Sequence, residues 1–249
     1  MNVWPITWED SLPSTNARVR ELLAARPGLP HGFALAAREQ TGGVGRLGRR
    51  WVSAAGRDIA LSVLLRPAGV EVAGFVSLPL ALALGVVDLL TALGPAARTR
   101  WPNDVLVGRR KICGILCEQA DTPAGPAVIA GIGLNVNMPA GVADRIDQPA
   151  TSLAIETGRA HDVGRTAADL AGALARRYDR WVREGFAGLR DDWQRVSAGV
   201  GRPAIVQTAG RSLSGVLVGF GPYGELILHE ATGAITSIWS ADHVRIDAE

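Results

Sequence analysis

The sequence predicts an α+β fold, a mixed sheet with helices plus a small C-terminal β-barrel, on three observations. Strand-like segments follow one another through short turns, as hairpins, and do not alternate regularly with helices. Helical patterns stand at both ends of that strand-rich stretch. After Ser197 the texture changes to short strands separated by turn residues, which suits a small barrel of about fifty residues. A chain of 249 residues can hold one large domain, or a large and a small one, around a substantial core. The expected division is 1–197 and 198–249.

Ser14, Thr15 and Asn16 supply the N-cap of the first helix, ARVRELLAARPG, in which Val19, Leu22 and Leu23 form the apolar stripe. Gly28 and Pro30 end it. FALAA at 33–37 reads as a strand leading into a glycine-rich loop, and IALSVLLRP at 59–67 as another. A long apolar helix is expected over about 73–93. DVLV and KICGILCE then form a hairpin through a GRR turn, which places Lys111 at the start of the second strand. PAVIAGIGLNVNMP at 126–139 is a further strand whose Gly131 and Gly133 let something approach closely. Helices near 166–184 and 186–196 follow. PAIVQT, SLSGVLVGFG, ELILHEA, ITSIWS and HVRI are the five strands of the barrel.

Composition narrows the function classes. With 47% hydrophobic and 20% charged residues the chain is an ordinary globular protein, and a net charge of +2 gives no argument for nucleic acid. The N-terminal residues lack the basic and apolar regions of a signal peptide. VAGFVSLPLALALGVVDLLTALG at 72–94 is membrane-like, but Pro79 and Asp88 interrupt it. Its uncharged run, Val72 to Val87, falls short of the ~20 residues a span needs. The reading is a buried helix, no membrane contact and a cytoplasmic protein. Cys113 and Cys117 share one strand face, and no second Cys pair or nearby His completes a metal set, so both read as reduced structural thiols. The 26 basic residues comprise 25 arginines and one lysine, Lys111. A composition that has replaced lysine almost everywhere keeps it at one position: either chance left it there or the site needs a compact ammonium rather than a planar guanidinium, which makes Lys111 a candidate.

Gly43, Gly45 and Gly48 match the dinucleotide fingerprint G-x-G-x-x-G, but its context is missing. The motif needs a helix N-terminus after the glycines and an acidic residue about twenty positions on. Here RLGRRWVSAAGRD has no helical period, and 61–68 reads LSVLLRPA. What remains is a loop carrying Arg46, Arg49 and Arg50 and ending on Trp51. Its glycines and arginines suit phosphate or carboxylate, although taken alone such a loop more often is a solvated, flexible one. The polar trio, Gln40, this loop, Asn103, Asp104, Lys111 and the Gly131–Asn135 turn all lie at ends of regular elements, where sheets display binding residues. Arginine, lysine and glycine N–H groups suit phosphate, and Asp104 with Asn135 offers oxygen donors for Mg²⁺. His31, His161, His229 and His243 are scattered, and no Ser–His–Asp or Cys–His set is evident. Phosphoryl or adenylyl transfer needs only positioned positive charge.

At these segments the sequence resembles the biotin–protein ligases. STN at 14–16, QTGGVGRLGRRW at 40–51, RWPND at 100–104, KICGIL at 111–116 and GIGLN at 131–135 stand in the family's order along nearly the whole chain. The resemblance implies a class II synthetase-like catalytic domain over 1–197 and an SH3-like barrel over 198–249. It implies formation of biotinoyl-AMP from biotin and ATP, with Mg²⁺, and transfer of biotin to a lysine of a biotin carboxyl carrier protein. By that resemblance the catalytic cations are Lys111, Arg46 and Arg100. Biotin falls to Ser14, Thr15, Asn16, Gln40, Gly43, Val44, Gly45, Arg46, Lys111, Gly114 and Gly131. ATP and the adenylate fall to Arg46, Arg49, Trp51, Asn103, Lys111, Gly133 and Asn135, and the metal to Asp104 and Asn135.

Two positions depart from the family pattern: Val44 stands for the first loop arginine, and Arg100 for the lysine before W-P-N-D. Catalytic-type sequence begins within the first few residues, so a ligase without a DNA-binding domain is expected, either monomeric or a homodimer. The competing readings are a lipoate- or octanoate-transferring protein of related fold and a relative that binds biotin without turnover.

Overall fold

The computed structural model describes residues 4–208 and 210–246. Strand β1 (Ile6–Leu12) precedes helix α1 (Thr15–Ala25), and β2 (Ala34–Gln40) leads into the glycine loop, which holds a single 3₁₀ turn at Arg46–Gly48. Then come β3 (Ile59–Leu65), a 3₁₀ segment at Val72–Ser77 and α2 (Leu78–Leu93). Strands β4 (Ala97–Arg100), β5 (Asp104–Val107), β6 (Arg110–Thr122) and β7 (Gly125–Leu134) follow. Helices α3 (Ala140–Ala143), α4 (Leu153–Thr157), α5 (Val163–Glu184) and α6 (Arg190–Val196) close this part of the chain. Its seven strands make one mixed sheet in the order β1-β2-β3-β7-β6-β5-β4, in which only β1 and β2 run parallel.

The central strand β3 is buried along its whole length, as its unbroken apolar run requires. Ile59, Leu61, Val63 and Leu65 join the main core under α2 and α5. Leu64 points the other way, into a second cluster with Val19 and Leu23 of α1. Helix α1 packs on that second face, against β2, β3 and β7. The membrane-like segment is the core helix of this arrangement, with 67% of its most apolar stretch buried. It is apolar all round because the sheet lies on one side and α5 on the other.

Several elements were not anticipated. Strands β1 and β4 are edges of the sheet, and the segment after Asn135 carries α3 and α4, so the strand expected to reach 139 stops at Leu134. The first helix is capped by Ser14 alone, whose side chain accepts from Ala17 N–H, while Thr15 and Asn16 lie inside it. The five C-terminal strands form as expected: β8 (Pro203–Thr208), β9 (Arg211–Phe220), β10 (Leu226–Glu230), β11 (Ile235–Ile238) and β12 (His243–Ile246). They make an antiparallel SH3-like sheet in the order β11-β10-β9-β8-β12. Of the Ala209–Gly210 turn, Gly210 takes a φ of 76° and Ala209 lies outside the described residues. The two sheets meet closely. Ala198 N–H donates to Thr99 O (2.7 Å) and the Trp101 indole to Gly224 O (2.9 Å).

Candidate active site

Lys111 reaches the open face of the sheet through a defect in the ladder. Along β6, Cys113, Ile115 and Cys117 face the main core, so strict alternation would send Lys111 there too. The pairing with β5 slips: Val105 opposes Cys113, but Leu106 opposes Lys111, which leaves Ile112 as an extra residue. This bulge turns both Ile112 and Cys113 into the core and puts Lys111 on the opposite face, beside Gly114. Burial pushes the Cys113 and Cys117 thiols well above their usual range, in keeping with inert structural cysteines. On its other side Lys111 is clamped by the chain at 149–151, donating N–H to Pro149 O (2.8 Å) and accepting from Thr151 N–H (2.9 Å).

The ammonium pairs with Asp104 Oδ1 at 2.6 Å and stands 5.4 Å from the centre of the Trp51 ring. Arg100 takes the other carboxylate oxygen at 2.6 Å. Arg100 thus serves Asp104 and does not line the pocket.

Around Lys111 opens a pocket that is continuous with solvent. It gathers Ser14, Thr15, Asn16 and Gln40 at one end, Val44, Gly45, Arg46, Arg49 and Trp51 from the loop, and Asn103, Asp104, Gly114, Gly131 and Gly133 from the sheet. Three of the predicted residues are not among its walls. Gly43 lies behind it, where a Cβ would stand 2.5 Å from Gln40 Nε2 and 2.9 Å from Trp51 O. Arg100 is the second. Asn135 is the third: it is buried, its amide donates to Thr151 O (2.9 Å), its Oδ1 has no partner, and it borders a separate hollow beyond Trp51 and Lys111.

The close approach inferred at the β7 glycines is made by the protein's own side chains. A Cβ on Gly133 would stand 2.4 Å from Cε2 of the Trp51 indole, and one on Gly114 would come 2.9 Å from the same ring. A Cβ on Gly131 would stand 2.5 Å from Asn16 Oδ1. These glycines therefore seat Trp51 and Asn16 flat against the sheet.

At the polar end, Gln40 Oε1 accepts from Thr15 N–H (2.9 Å) and stands 3.1 Å from Thr15 Oγ1. Asn16 Nδ2 donates to Glu118 (2.7 Å), and Ser62 Oγ lies 2.7 Å from Thr15 Oγ1 and 2.6 Å from Asn16 Oδ1. Sequence reasoning missed Ser62, although it is the single polar residue within IALSVLL. It missed Glu118, Leu47, Gln148 and Asp242 as well, the last three of which line the pocket.

At the other end the loop is folded over the opening. Val44 bridges Arg50, Gly45 N–H donates to Arg49 O (2.7 Å), and Trp51 N–H donates to Gly43 O (2.8 Å). Arg46 donates to Ala241 O (2.9 Å) and to Asn103 Oδ1 (3.5 Å), while Arg49 donates to Asp242 O (2.8 Å). The C-terminal sheet thus holds the loop down. Burial lowers the Arg46 pKa, partly countered by Asp104, so this guanidinium is a poorly solvated cation ready for an anionic ligand.

Asp104 and Asn135 do not fit as a resident metal pair. Both carboxylate oxygens face cations, and Asn135 borders the other hollow. No group of three or more His, Cys, Asp or Glu side chains suited to a metal occurs among the described residues.

Residues 9–137 match the model of the biotin/lipoate A/B protein ligase family. The chain is 39% identical over 226 residues to a biotin–[acetyl-CoA-carboxylase] ligase of Paracoccus denitrificans, covering 88% of this chain and 92% of that protein. A biotin–[acetyl-CoA-carboxylase] ligase of Mycobacterium tuberculosis is 35% identical over 236 residues, covering 93% and 85%. Among solved structures, the biotin protein ligase of Aquifex aeolicus in complex with biotin and ATP aligns with a TM-score of 0.80. It is 25% identical and covers 97% of this chain and 99% of that one.

Proposed function

The chain belongs to the biotin/lipoate A/B protein ligase family, and from that membership we propose that biotin and ATP are joined in the pocket around Lys111. The protein is an ATP-dependent ligase. A biotin carboxylate oxygen attacks the α-phosphorus of ATP, giving biotinoyl-AMP and pyrophosphate. A lysine amine of a biotin carboxyl carrier protein then attacks the acyl carbon, forming the amide and releasing AMP.

One observation carries the assignment of the site: a ladder bulge delivers the chain's only lysine to the middle of a pocket with neutral polar groups at one end and arginines at the other. In this reading Thr15 and Gln40 receive the ureido head of biotin, with Ser14 and Asn16 beside them. Lys111 meets the carboxylate and the α-phosphate. Arg100 holds the other oxygen of Asp104, so the carboxylate stays balanced when Lys111 turns to the substrates. Arg46 adds charge at the phosphate from a poorly hydrated position, where it stabilises the transition state more than an exposed cation would. Trp51 offers its face to the adenosine, and Asn103, Arg49, Gly133 and Asn135 complete the nucleotide side. Val44, Gly43 and Gly45 supply loop backbone, and Gly114 and Gly131 the floor. Magnesium enters with the triphosphate, and no step is routed through a protein-held metal.

Residues 1–197 act as the catalytic domain, and 198–249 as a small domain that steadies the loop. The reaction belongs in the cytoplasm, where ATP and carrier protein are found and Cys113 and Cys117 stay free thiols. The decisive measurement is biotin-dependent ATP–pyrophosphate exchange in wild type and Lys111→Arg. Exchange in wild type that falls by about 10²-fold or more in the variant is the expected result. Equal exchange in the two proteins would remove Lys111 from the mechanism.

A further inference from the structure

Asp58 ends the stretch RLGRRWVSAAGRD and is 3% exposed, yet it lines neither the main pocket nor the hollow beyond Trp51. The reaction scheme does not use it. Its Oδ2 accepts from Ala54 N–H (2.7 Å), on the stalk by which the glycine loop returns to β3. Its Oδ1 accepts from Val136 N–H (2.8 Å), in the turn that leaves β7 immediately after Asn135. Beside it, Asn137 N–H donates to Arg57 O (2.9 Å).

Among the described residues no cation pairs with Asp58, so its charge is met by main-chain N–H groups alone. Burial pushes the carboxyl above its usual range, and the N–H groups of Ala54, Val136, Asn137 and Met138 pull it back. A buried charge without a cation is costly, and a residue that only filled space here would be apolar. What the carboxylate offers is geometry. It accepts on two oxygens and donates on neither, so it can hold two donor segments at once. An amide of the same shape has one acceptor oxygen, and would turn its own N–H toward the second donor.

The two segments carry the facing walls of the hollow that Trp51, Val52, Lys111, Asn135 and Gln148 border. Trp51 and Val52 belong to the loop side. On the other side Val136 O accepts from Ala154 N–H (2.8 Å) and Asn135 O from Leu153 N–H (3.0 Å), while Asn135 Nδ2 donates to Thr151 O (2.9 Å). The turn at Val136 is therefore tied to the segment that clamps Lys111.

We infer that Asp58 is a positioning residue for the nucleotide: by holding Ala54 on one oxygen and Val136 on the other, it fixes how far the wall that carries Trp51 stands from the wall that carries Asn135. The inference rests on the reading of this pocket as the site where biotin and ATP are joined. The polar end, at Thr15, Asn16 and Gln40, is held by bonds of its own, so the two substrates should respond differently when the junction is cut.

The test measures KM for ATP and for biotin in ATP–pyrophosphate exchange by the whole protein. Asp58→Asn keeps the size of the side chain and one of its two acceptors. KM for ATP should rise about tenfold or more in this variant, while KM for biotin stays within about twofold of wild type. Asp58→Ala, which frees both segments, should raise it at least as far. Val86→Ala, in the core on α2, loses stability without touching the junction and should leave both constants unchanged. An unchanged KM for ATP in Asp58→Asn overturns the inference, and so does an equal rise in Val86→Ala or a matching rise in KM for biotin. A second measurement needs no variant and decides the matter if neither Asp58 variant folds. In wild type with the unreactive analogue α,β-methylene-ATP, the Ala54 and Val136 amides, followed by NMR, should gain protection from hydrogen exchange together. Protection of one alone overturns the junction. Each of these failures leaves the ligase reading intact. Absence of biotin-dependent pyrophosphate exchange in wild type overturns that reading, and the inference with it.

Discussion

Trp51 lies flat because residues 114 and 133 have no side chains, so its position depends on two hydrogens. Gly133→Ala would place a methyl carbon 2.4 Å from the indole and push the ring off the sheet, without asking the backbone for a new conformation. The expected outcome is a rise in KM for ATP of about tenfold or more, the equivalent of ~1.4 kcal/mol, with KM for biotin and far-UV circular dichroism near wild type. Steady-state kinetics at saturating biotin measures it, and an unchanged KM for ATP would show that the ring has no part in nucleotide binding. At this scale the sequence was informative where a residue was out of keeping with its surroundings. A lone lysine among arginines and glycines in a strand both stood out, and the fold brings both to the walls of one pocket. What the glycines accommodate was not legible, because Asn16 and Trp51 arrive from distant segments. Ser62 carried a weak signal as a hydroxyl in an apolar run, whereas Glu118 looked like any surface acid until its contact with Asn16 was seen.

The glycine loop is an element whose order depends on few contacts. Its tip carries Leu47 at a φ of 58°, a left-handed conformation for a non-glycine residue, and both Leu47 and Val44 are exposed. Val44 offers the ligand only backbone N–H where the family pattern has an arginine. A charge-assisted hydrogen bond contributes about 1.5–3 kcal/mol, so Val44→Arg should slow escape of free biotinoyl-AMP by about tenfold or more. Filtration of a reaction with labelled biotin and no acceptor measures that release, and equal release from wild type and variant sinks the prediction. Elements with a strong period or an unbroken apolar run were legible: β3, α2, α5 and all five C-terminal strands. Strands β1 and β4 were not, because an edge strand with charged residues facing solvent shows no clean alternation. Helices α3 and α4 are too short for a periodic signal. The bulge at Lys111 was also invisible, since register is set by pairing partners rather than by the strand itself.

Across the whole molecule, the seam between the two sheets is where chemistry and stability meet. Arg46 and Arg49 grip main-chain oxygens of residues 241 and 242, so the loop is only as well placed as the C-terminal sheet is docked. That docking rests on α6, whose Trp193 is fully buried and packs edge-on against Phe186 at 6.3 Å and Phe220 of β9 at 5.7 Å. The main core runs without a break from β3 through Trp193 to Phe220, Leu226 and Leu228. A change at this position must therefore be felt on both sides. Trp193→Ala should cost about 3–5 kcal/mol, the usual range for emptying a buried aromatic site. If the sheets unfold as one unit, amide exchange in β3 and β7 and in β9 and β10 should accelerate by the same factor in the variant, read by mass spectrometry of the same digests. KM for ATP should rise with it, because the loop loses its anchorage. Acceleration confined to β9 and β10, with β3 and β7 protected as in wild type, would mean that the C-terminal sheet opens independently. In that case the loop is placed by the catalytic sheet alone, and the arginine contacts to residues 241 and 242 are a consequence of closure rather than its cause.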